Sequence, residues 1–379
     1  MRGLVNEIGP RPAGSSAELQ ALQWIQTRLS GKAYCFTRQH FPFASLPIFL
    51  PYYTSAGLAF LFAALSLHGF PWLALGMPVL VGGLPDLHNW LGWILPKRIE
   101  SENLIVLPED CSIMEVDIFF CAHVDTARAI PGGYSSRLLN PLRMQIFPVM
   151  QRMALILALF GLVSLVGFQL GPGIIAGVVA VSVLVGMTLV GLDLWEQMGT
   201  HGKHTVGAND NASGVGVLLV LAELLSENQS SSLKIGFLFT GAEEAGLWGA
   251  SAFARSLADS GLRTPLVCVD MVGAGSDLRI MAGAKSLRTV KTNREINEWL
   301  ERADPLAVRH TALRRSSDFE AFTRAGIPAG WIESSGTKQS WLAYHTQRDQ
   351  MDQIDPKMLQ RAVTLLYRVV QHMEQGKRR

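Results

Sequence analysis

Five stretches of this chain place imidazole or carboxylate side chains where apolar runs end or helices begin. FFCAHVDTA closes one run with His123 and Asp125. Alternate spacing puts both side chains on one side of an extended segment. An imidazole that ligates a metal needs a carboxylate or carbonyl behind it to fix its tautomer. GFLFTGAEEAGLWG closes a second run with Glu243 and Glu244. Adjacent carboxylates repel unless a cation or a proton intervenes. They can also divide the labour, one binding metal while the other takes a proton from water. A solvated acidic helix start would use the same residues. VCVDMVGAG leaves Asp270 among apolar neighbours, which is costly without a cation or a donor. GANDNASGVGVLL sets Asp210 in a turn before a helix, where an N-cap aspartate also fits. YHTQRDQMDQID supplies His345 in a loop.

Singly, each pattern has an ordinary structural explanation. Together, two histidines and three carboxylates make a hard nitrogen and oxygen donor set suited to zinc, cobalt or manganese. One shared carboxylate can bridge two ions about 3.5–4 Å apart, as in two-metal hydrolases.

The elements that must position these residues alternate in type. Residues 15–29 pattern as an amphipathic helix opened by Ser15 or Ser16, with Glu18 placing acid in its first turn. Residues 103–107, 116–122, 233–240, 266–271 and 329–332 are short strand-like runs. Helical patterns fill 213–225, 247–257, 291–302, 318–325 and the stretch from Pro356. Strands alternating with helices predict an α/β fold on a mostly parallel sheet. Ligands in such sheets gather at the carboxyl ends of the strands.

Of 379 residues, 49% are hydrophobic and only 17% charged, and the apolar excess sits in two blocks, 46–96 and 148–192. In the second block, 153–170 and 174–192 carry no charge and flank Gly171-Pro172-Gly173, which patterns as a turn. Each approaches the roughly 20 residues needed to cross a bilayer, so a transmembrane helical hairpin is expected. In the first block, 46–67 is long enough to span. The remainder, 71–96, is either a second spanning helix carrying Asp86 and His88 or a re-entrant piece followed by an interfacial helix. Trp90 and Trp93 ahead of Lys97-Arg98 suit a membrane interface. The tips near Gly69 and Gly171 lack Lys and Arg, whereas Lys97, Arg98, Arg137, Arg143, Arg152 and Lys203 sit at the other ends. Basic residues stay cytoplasmic. The expectation is an integral protein of the plasma or inner membrane with a cytoplasmic catalytic domain. That domain would comprise 1–45, 97–147 and 193–379, interrupted by membrane insertions 46–96 and 148–192. The first twenty residues lack the apolar core of a secretory signal.

A net charge of +2, with no basic stripe interleaved with aromatics, argues against nucleic acid as a partner. Cys35, Cys111, Cys121 and Cys268 form no C-x-x-C pair and are expected to be structural thiols.

The order and spacing of seven segments resemble the co-catalytic zinc aminopeptidases, metallopeptidase family 28. The segments are IGPRPAGSSAELQALQWI, AHVDTA, GANDNASGVGVLL, TGAEEAGLWGA, VDMVGAG, SSDFEAFTRAGIPA and YHTQRDQMDQID. The resemblance covers 6–40, 102–127 and 204–370, and implies a three-layer αβα zinc-peptidase fold with two Zn2+ per chain. His123 and Asp270 would hold one ion, Glu244 and His345 the other, and Asp210 both, with a cis peptide bond between Asp210 and Asn211. Asp125 would orient His123, and Glu243 would be the general base. Substrates would be peptides with a free N-terminus. Phe319 stands where a His or another polar residue is usual, which affects the substrate pocket, and Gln347 replaces a common Pro. The second apolar block interrupts the chain between Asp125 and Asp210, which predicts an active site near the bilayer. Carboxypeptidase or glutaminyl cyclase chemistry and a non-catalytic binding protein are the alternatives on this fold. A transporter would need more spanning helices and an intramembrane polar path.

Overall fold

The computed structural model describes residues 1–44, 52–76, 96–129, 149–150, 152–167, 171–199, 203–227, 233–285, 289–313 and 315–377. The chain forms two compact units. The first comprises Met1–Ser45, Pro96–Ala129 and Lys203–Arg379; the second comprises Leu46–Leu95 and Ile130–Gly202.

Nine strands build the sheet of the first unit: β1 Tyr34–Phe43, β2 Ile99–Pro108, β3 Ile118–His123, β4 Ile235–Thr240, β5 Leu266–Val269, β6 Leu278–Lys285, β7 Thr289–Lys291, β8 Val308–Leu313 and β9 Ala329–Ser334. Their order is β1-β2-β4-β3-β5-β9-β6-β7, with β8 paired to β6. The central run β4-β3-β5-β9 is parallel, and β8 lies parallel to β6. The β1–β2, β2–β4, β6–β9 and β6–β7 pairings are antiparallel. The sheet is therefore mixed rather than mostly parallel. At one edge the reason is connectivity. Phe43 pairs with Ile99, so the first apolar insertion leaves and returns at one point, which only antiparallel neighbours allow.

The central strands are buried along their whole length, as parallel strands covered on both faces must be. Alternate residues serve opposite layers. Phe120, Phe237 and Phe239 belong to a core with the helices Ser16–Leu29, Ser213–Glu227 and Pro356–Lys377. Phe119 and Cys121 belong to a core with Trp248–Asp259 and Phe319–Arg324. There the Phe119 and Phe253 rings meet edge-on at 5.3 Å. Each fully buried ring contributes on the order of 1.5–3 kcal/mol of transfer free energy. Cys111, Cys121 and Cys268 are buried free thiols, but Cys35 is exposed and packs in no core.

Helix Ser16–Leu29 starts where the sequence predicts, with Ser15 accepting the Glu18 amide at 3.2 Å. Glu18 is the acid of the first turn, as expected, and it is fully buried. The second unit's chain departs after Ala129 and returns at Lys203. Those stems pair within the first unit, Ala129 N to Lys203 O and Thr205 N to Ala127 O, both 2.9 Å.

In the second unit, helices Tyr52–Leu67, Arg152–Val166 and Pro172–Gly199 are described. Small residues face inward: Ala56, Ala59, Ala63, Ala154 and Ala158 form the core with Phe60 and Leu189. A Cβ on Gly57 would lie 2.7 Å from the Gly186 carbonyl oxygen, and one on Gly186 2.8 Å from that of Gly57. Large apolar side chains point outward, among them Ile156, Leu159, Ile174, Val181 and Leu184. Pro172–Leu192 is the one described helix long and apolar enough to cross a membrane; Ala56–Leu67 and Arg152–Val166 are shorter. Pro172 opens its helix rather than sitting in a turn, since the first helical position needs no N–H. The preceding helix ends at Gly167, in the left-handed region. Two complete hairpins are thus not present among the described residues. Asp86, His88, Trp90, Trp93, Arg137 and Arg143, with the spanning alternative for 71–96, fall largely or wholly outside them.

Candidate metal centre

The predicted residues come from the carboxyl ends of three parallel strands and from two loops. His123 ends β3, and Asp270 follows β5 directly. Glu243 and Glu244 lie in the turn between β4 and helix Trp248–Asp259. Asp210 occupies the tight turn Ala208–Ala212 that leads into helix Ser213–Glu227, and its bond to Asn211 is cis. His345 follows the short helix Lys338–Ala343.

These elements bring five side chains into two overlapping groups. His123, Asp210 and Asp270 have ligand atoms within 4.8 Å of one another, as do Asp210, Glu244 and His345. Nε2 of His123 lies 3.2 Å from Asp210 Oδ1 and 3.5 Å from Asp270 Oδ1. Nε2 of His345 lies 3.1 Å from Asp210 Oδ2 and 3.4 Å from Glu244 Oε1. Asp210 thus offers one oxygen to each group. Tetrahedral ligands bound at the usual zinc distances are separated by about 3.3 Å. Glu244 Oε1 and Asp270 Oδ1 are buried and make no hydrogen bond. An orphaned buried oxygen is costly, and a cation offsets that cost. Donor types, spacing and orphaned atoms all fit zinc.

The electrostatics agree. Burial alone would lower both histidine pKa values. Glu243 and the surrounding carboxylates instead carry His123 well above the ordinary range, and Glu244 with Asp210 carries His345 up to about 10. Burial would raise Asp210, but His123 and His345 hold it below the carboxylate range. A site that draws protons onto two imidazoles this strongly also draws a metal cation. Burial, then Glu244, Asp318 and Asp270, push Glu243 well above its ordinary value, against His123.

Asp125 takes a broader part than expected. The nearest partner of His123 Nδ1 is the Asp125 backbone oxygen, at 3.2 Å, and the carboxylate stands off at 3.6 Å. That carboxylate instead accepts the Glu243 and Glu244 amides, at 3.0 and 2.9 Å. The same turn is held further back by Asn103 on Gly241 N and Glu18 on Ala242 N, at 3.1 and 2.8 Å. Four consecutive amides, from Gly241 to Glu244, are therefore occupied.

Phe319 does not line the site. Its ring is fully buried and stacks on Trp331 at 5.2 Å. Beside it, Asp318 accepts the Thr240 hydroxyl and the Cys121 thiol, and burial pushes its carboxyl up to about 6. An aromatic series borders His345: Tyr344 stacks on its ring at 3.8 Å, Trp341 meets Tyr344 edge-on, and the Arg315 guanidinium covers Trp341 at 4.5 Å. Arg11, Glu18, Asp318 and Asp349 are buried ionisable residues near the site, none of them among the residues whose spacing pointed to it. Only the motifs around them hinted at a role.

A parallel-centred α/β sheet with two His/carboxylate groups at its strand ends defines the class, an α/β protein with a candidate metal centre. Residues 192–370 match the model of Peptidase family M28. Aminopeptidase YwaD of Bacillus subtilis is 30% identical over 167 residues, which make up 42% of this chain. The chain spans 36% of the length of that relative. Among solved structures, a zinc aminopeptidase from Bacillus subtilis superposes with a TM-score of 0.54 at 17% identity, covering 98% of this chain and 92% of its own. A Bacteroides thetaiotaomicron glutaminyl cyclase bound to N-acetylhistamine reaches 0.55 at 16% identity, with 96% and 92% covered. At such identities the likeness is one of fold.

Proposed function

We propose that this chain is a membrane-anchored, two-zinc aminopeptidase that removes N-terminal residues from peptides. The observation that carries the reading is the Asp210 carboxylate, whose two oxygens face two different imidazoles at 3.2 and 3.1 Å. His123 and Asp270 would hold one zinc and Glu244 and His345 the other, with Asp210 offering an oxygen to each group. Zinc, when bound, polarises the scissile carbonyl and makes water more acidic. Glu243 takes a proton from the attacking water on its carboxylate and passes it to the leaving amine as the C–N bond breaks. Asp125 fixes the backbone from which Glu243 projects. Acidic groups at the centre hold the substrate's α-ammonium.

What supports anchoring is the second unit's inverted packing, with small residues inside and large apolar ones outside, and its spanning-length helix. Membrane helices associate through small residues in this way. What supports a cytoplasmic catalytic unit is the basic bias of Lys97, Arg98, Arg152 and Lys203.

The test is a substrate panel on detergent-purified full-length protein: free aminoacyl arylamides, their N-acetylated forms, C-terminally free blocked peptides, and N-terminal glutaminyl peptides. Release from free arylamides alone is the expected result. Cleavage confined to blocked peptides, or ammonia from glutaminyl peptides alone, replaces this reading with carboxypeptidase or cyclase chemistry.

A further inference from the structure

Asp210 serves both groups at once, so the placement of its backbone sets the spacing between them. Five consecutive residues, Val206 to Asp210, are gripped through their main chain by two buried charges. Arg11 donates from Nη1 to Val206 O at 2.9 Å and from Nη2 to Gly207 O at 3.3 Å. Asp349 accepts Asn209 N on Oδ1 at 2.7 Å and Asp210 N on Oδ2 at 3.0 Å. Its backbone oxygen takes Ala208 N at 3.2 Å. A cation thus holds the carbonyls at one end of the segment, and an anion holds the amides at the other.

Each charge also reaches a second segment of the site. The Arg11 Nε donates to Val124 O at 2.7 Å, between His123 and Asp125, and Nη1 donates further to Leu4 O and Gly9 O. Arg11 and Thr126 exchange backbone and hydroxyl hydrogen bonds at 2.9 Å. Asp349 lies four residues after His345 in the same loop. Arg11 is 0% exposed and Asp349 2%. Buried charges survive only with full hydrogen bonding, and five carbonyls around one guanidinium call for its planar fork. The segment has no slack. Gly207 is in the left-handed region, where a Cβ would collide with the Asp210 carbonyl and Thr126.

We propose that Asp349 and Arg11 are positioning residues that lock Asp210 in register with His345 and His123, and so set metal affinity at both groups. The inference rests on the two-zinc reading above. Neither residue belongs to the two ligand groups; both act through the backbone of ligand-bearing segments.

The experiment titrates metal-free, full-length protein in detergent with zinc against a chromophoric chelator, and with cobalt(II) followed by visible absorption. Asp349→Asn and Arg11→Lys are compared with wild type and with Asp304→Asn. Asp304 is a similarly buried aspartate that pairs with Arg361 at 2.7 Å. Asp349→Asn is expected to weaken zinc binding by about 10–100-fold and to alter the cobalt bands, with kcat falling more than KM rises. Asp304→Asn is expected to lower thermal stability and leave zinc affinity and the cobalt spectrum at wild-type values. Wild-type affinity and an unchanged cobalt spectrum in Asp349→Asn overturn the inference. If that variant does not fold, the same result in Arg11→Lys overturns it. A wild-type chain that binds no zinc overturns the two-metal reading and the inference with it.

Discussion

Asp125 accepts the backbone amides of both Glu243 and Glu244 on its carboxylate, at 3.0 and 2.9 Å, while its own carbonyl faces His123. One residue therefore fixes a proposed ligand on β3 and the proposed base and ligand beyond β4. Replacement by Asn puts a donor against one of those amides. A buried unsatisfied N–H costs about 1–3 kcal/mol. Asp125→Asn is expected to lower arylamide turnover by about 10–100-fold. Wild-type kcat in this variant would remove Asp125 from the account.

Glu243 is the group to which the mechanism assigns the proton. Glu243→Gln is expected to cut kcat by about 100- to 10,000-fold, because the amide keeps the shape and loses the base. Zinc content, measured by elemental analysis on the same sample, is expected to stay at the wild-type value. A loss of zinc in parallel with activity would make Glu243 a ligand instead.

Glu18 gives a pH dependence of stability. Burial first and Asp125 second push its carboxyl up to about 8, against hydrogen bonds from Ser101, Gly14 N and Ala242 N. The folded chain then binds a proton that the unfolded chain releases, so this group's stabilisation is complete below pH 4.5 and is lost as pH rises towards 8. The slope is at most about 1.4 kcal/mol per pH unit. Urea unfolding of Glu18→Gln between pH 5 and 8 is expected to be flatter than wild type; parallel profiles would contradict the assignment.

The second unit's packing rests on the approach of Gly57 to Gly186. Gly186→Leu drives a side chain into the Gly57 carbonyl and Leu61. Overpacking of this kind costs about 1–3 kcal/mol. Met187→Leu, one residue on, changes an outward side chain that is 65% exposed and is expected to be neutral. Thermal unfolding in detergent, followed by helical circular dichroism, separates the two; equal midpoints would dispose of the glycine contact.

Residues that end apolar strands were readable from sequence, because a carboxylate or imidazole after a run such as IFFCA or LVCV breaks a strong pattern. The buried charges were not. Arg11 and Asp349 satisfy themselves with backbone carbonyls and amides, and such partners leave no mark in the sequence. Asp349, Asp352 and Asp355 look alike in DQMDQID, yet only Asp349 is buried. The outer strands were missed for a similar reason. β1 alternates around Pro42, and β6 and β8 are short runs broken by Arg, His and Gly. Their pairing partners, not their own patterns, make them strands. Pro172 patterns equally well as a turn residue and as a first helical residue; the structure shows the latter.

The most direct test of the account measures bound zinc and arylamide release together as metal-free, full-length protein is titrated with zinc. Two equivalents are expected to bind per chain, with release from free-amine substrates appearing as the sites fill and disappearing again with chelator. No bound zinc, or two equivalents bound without release from any free-amine peptide, would contradict it.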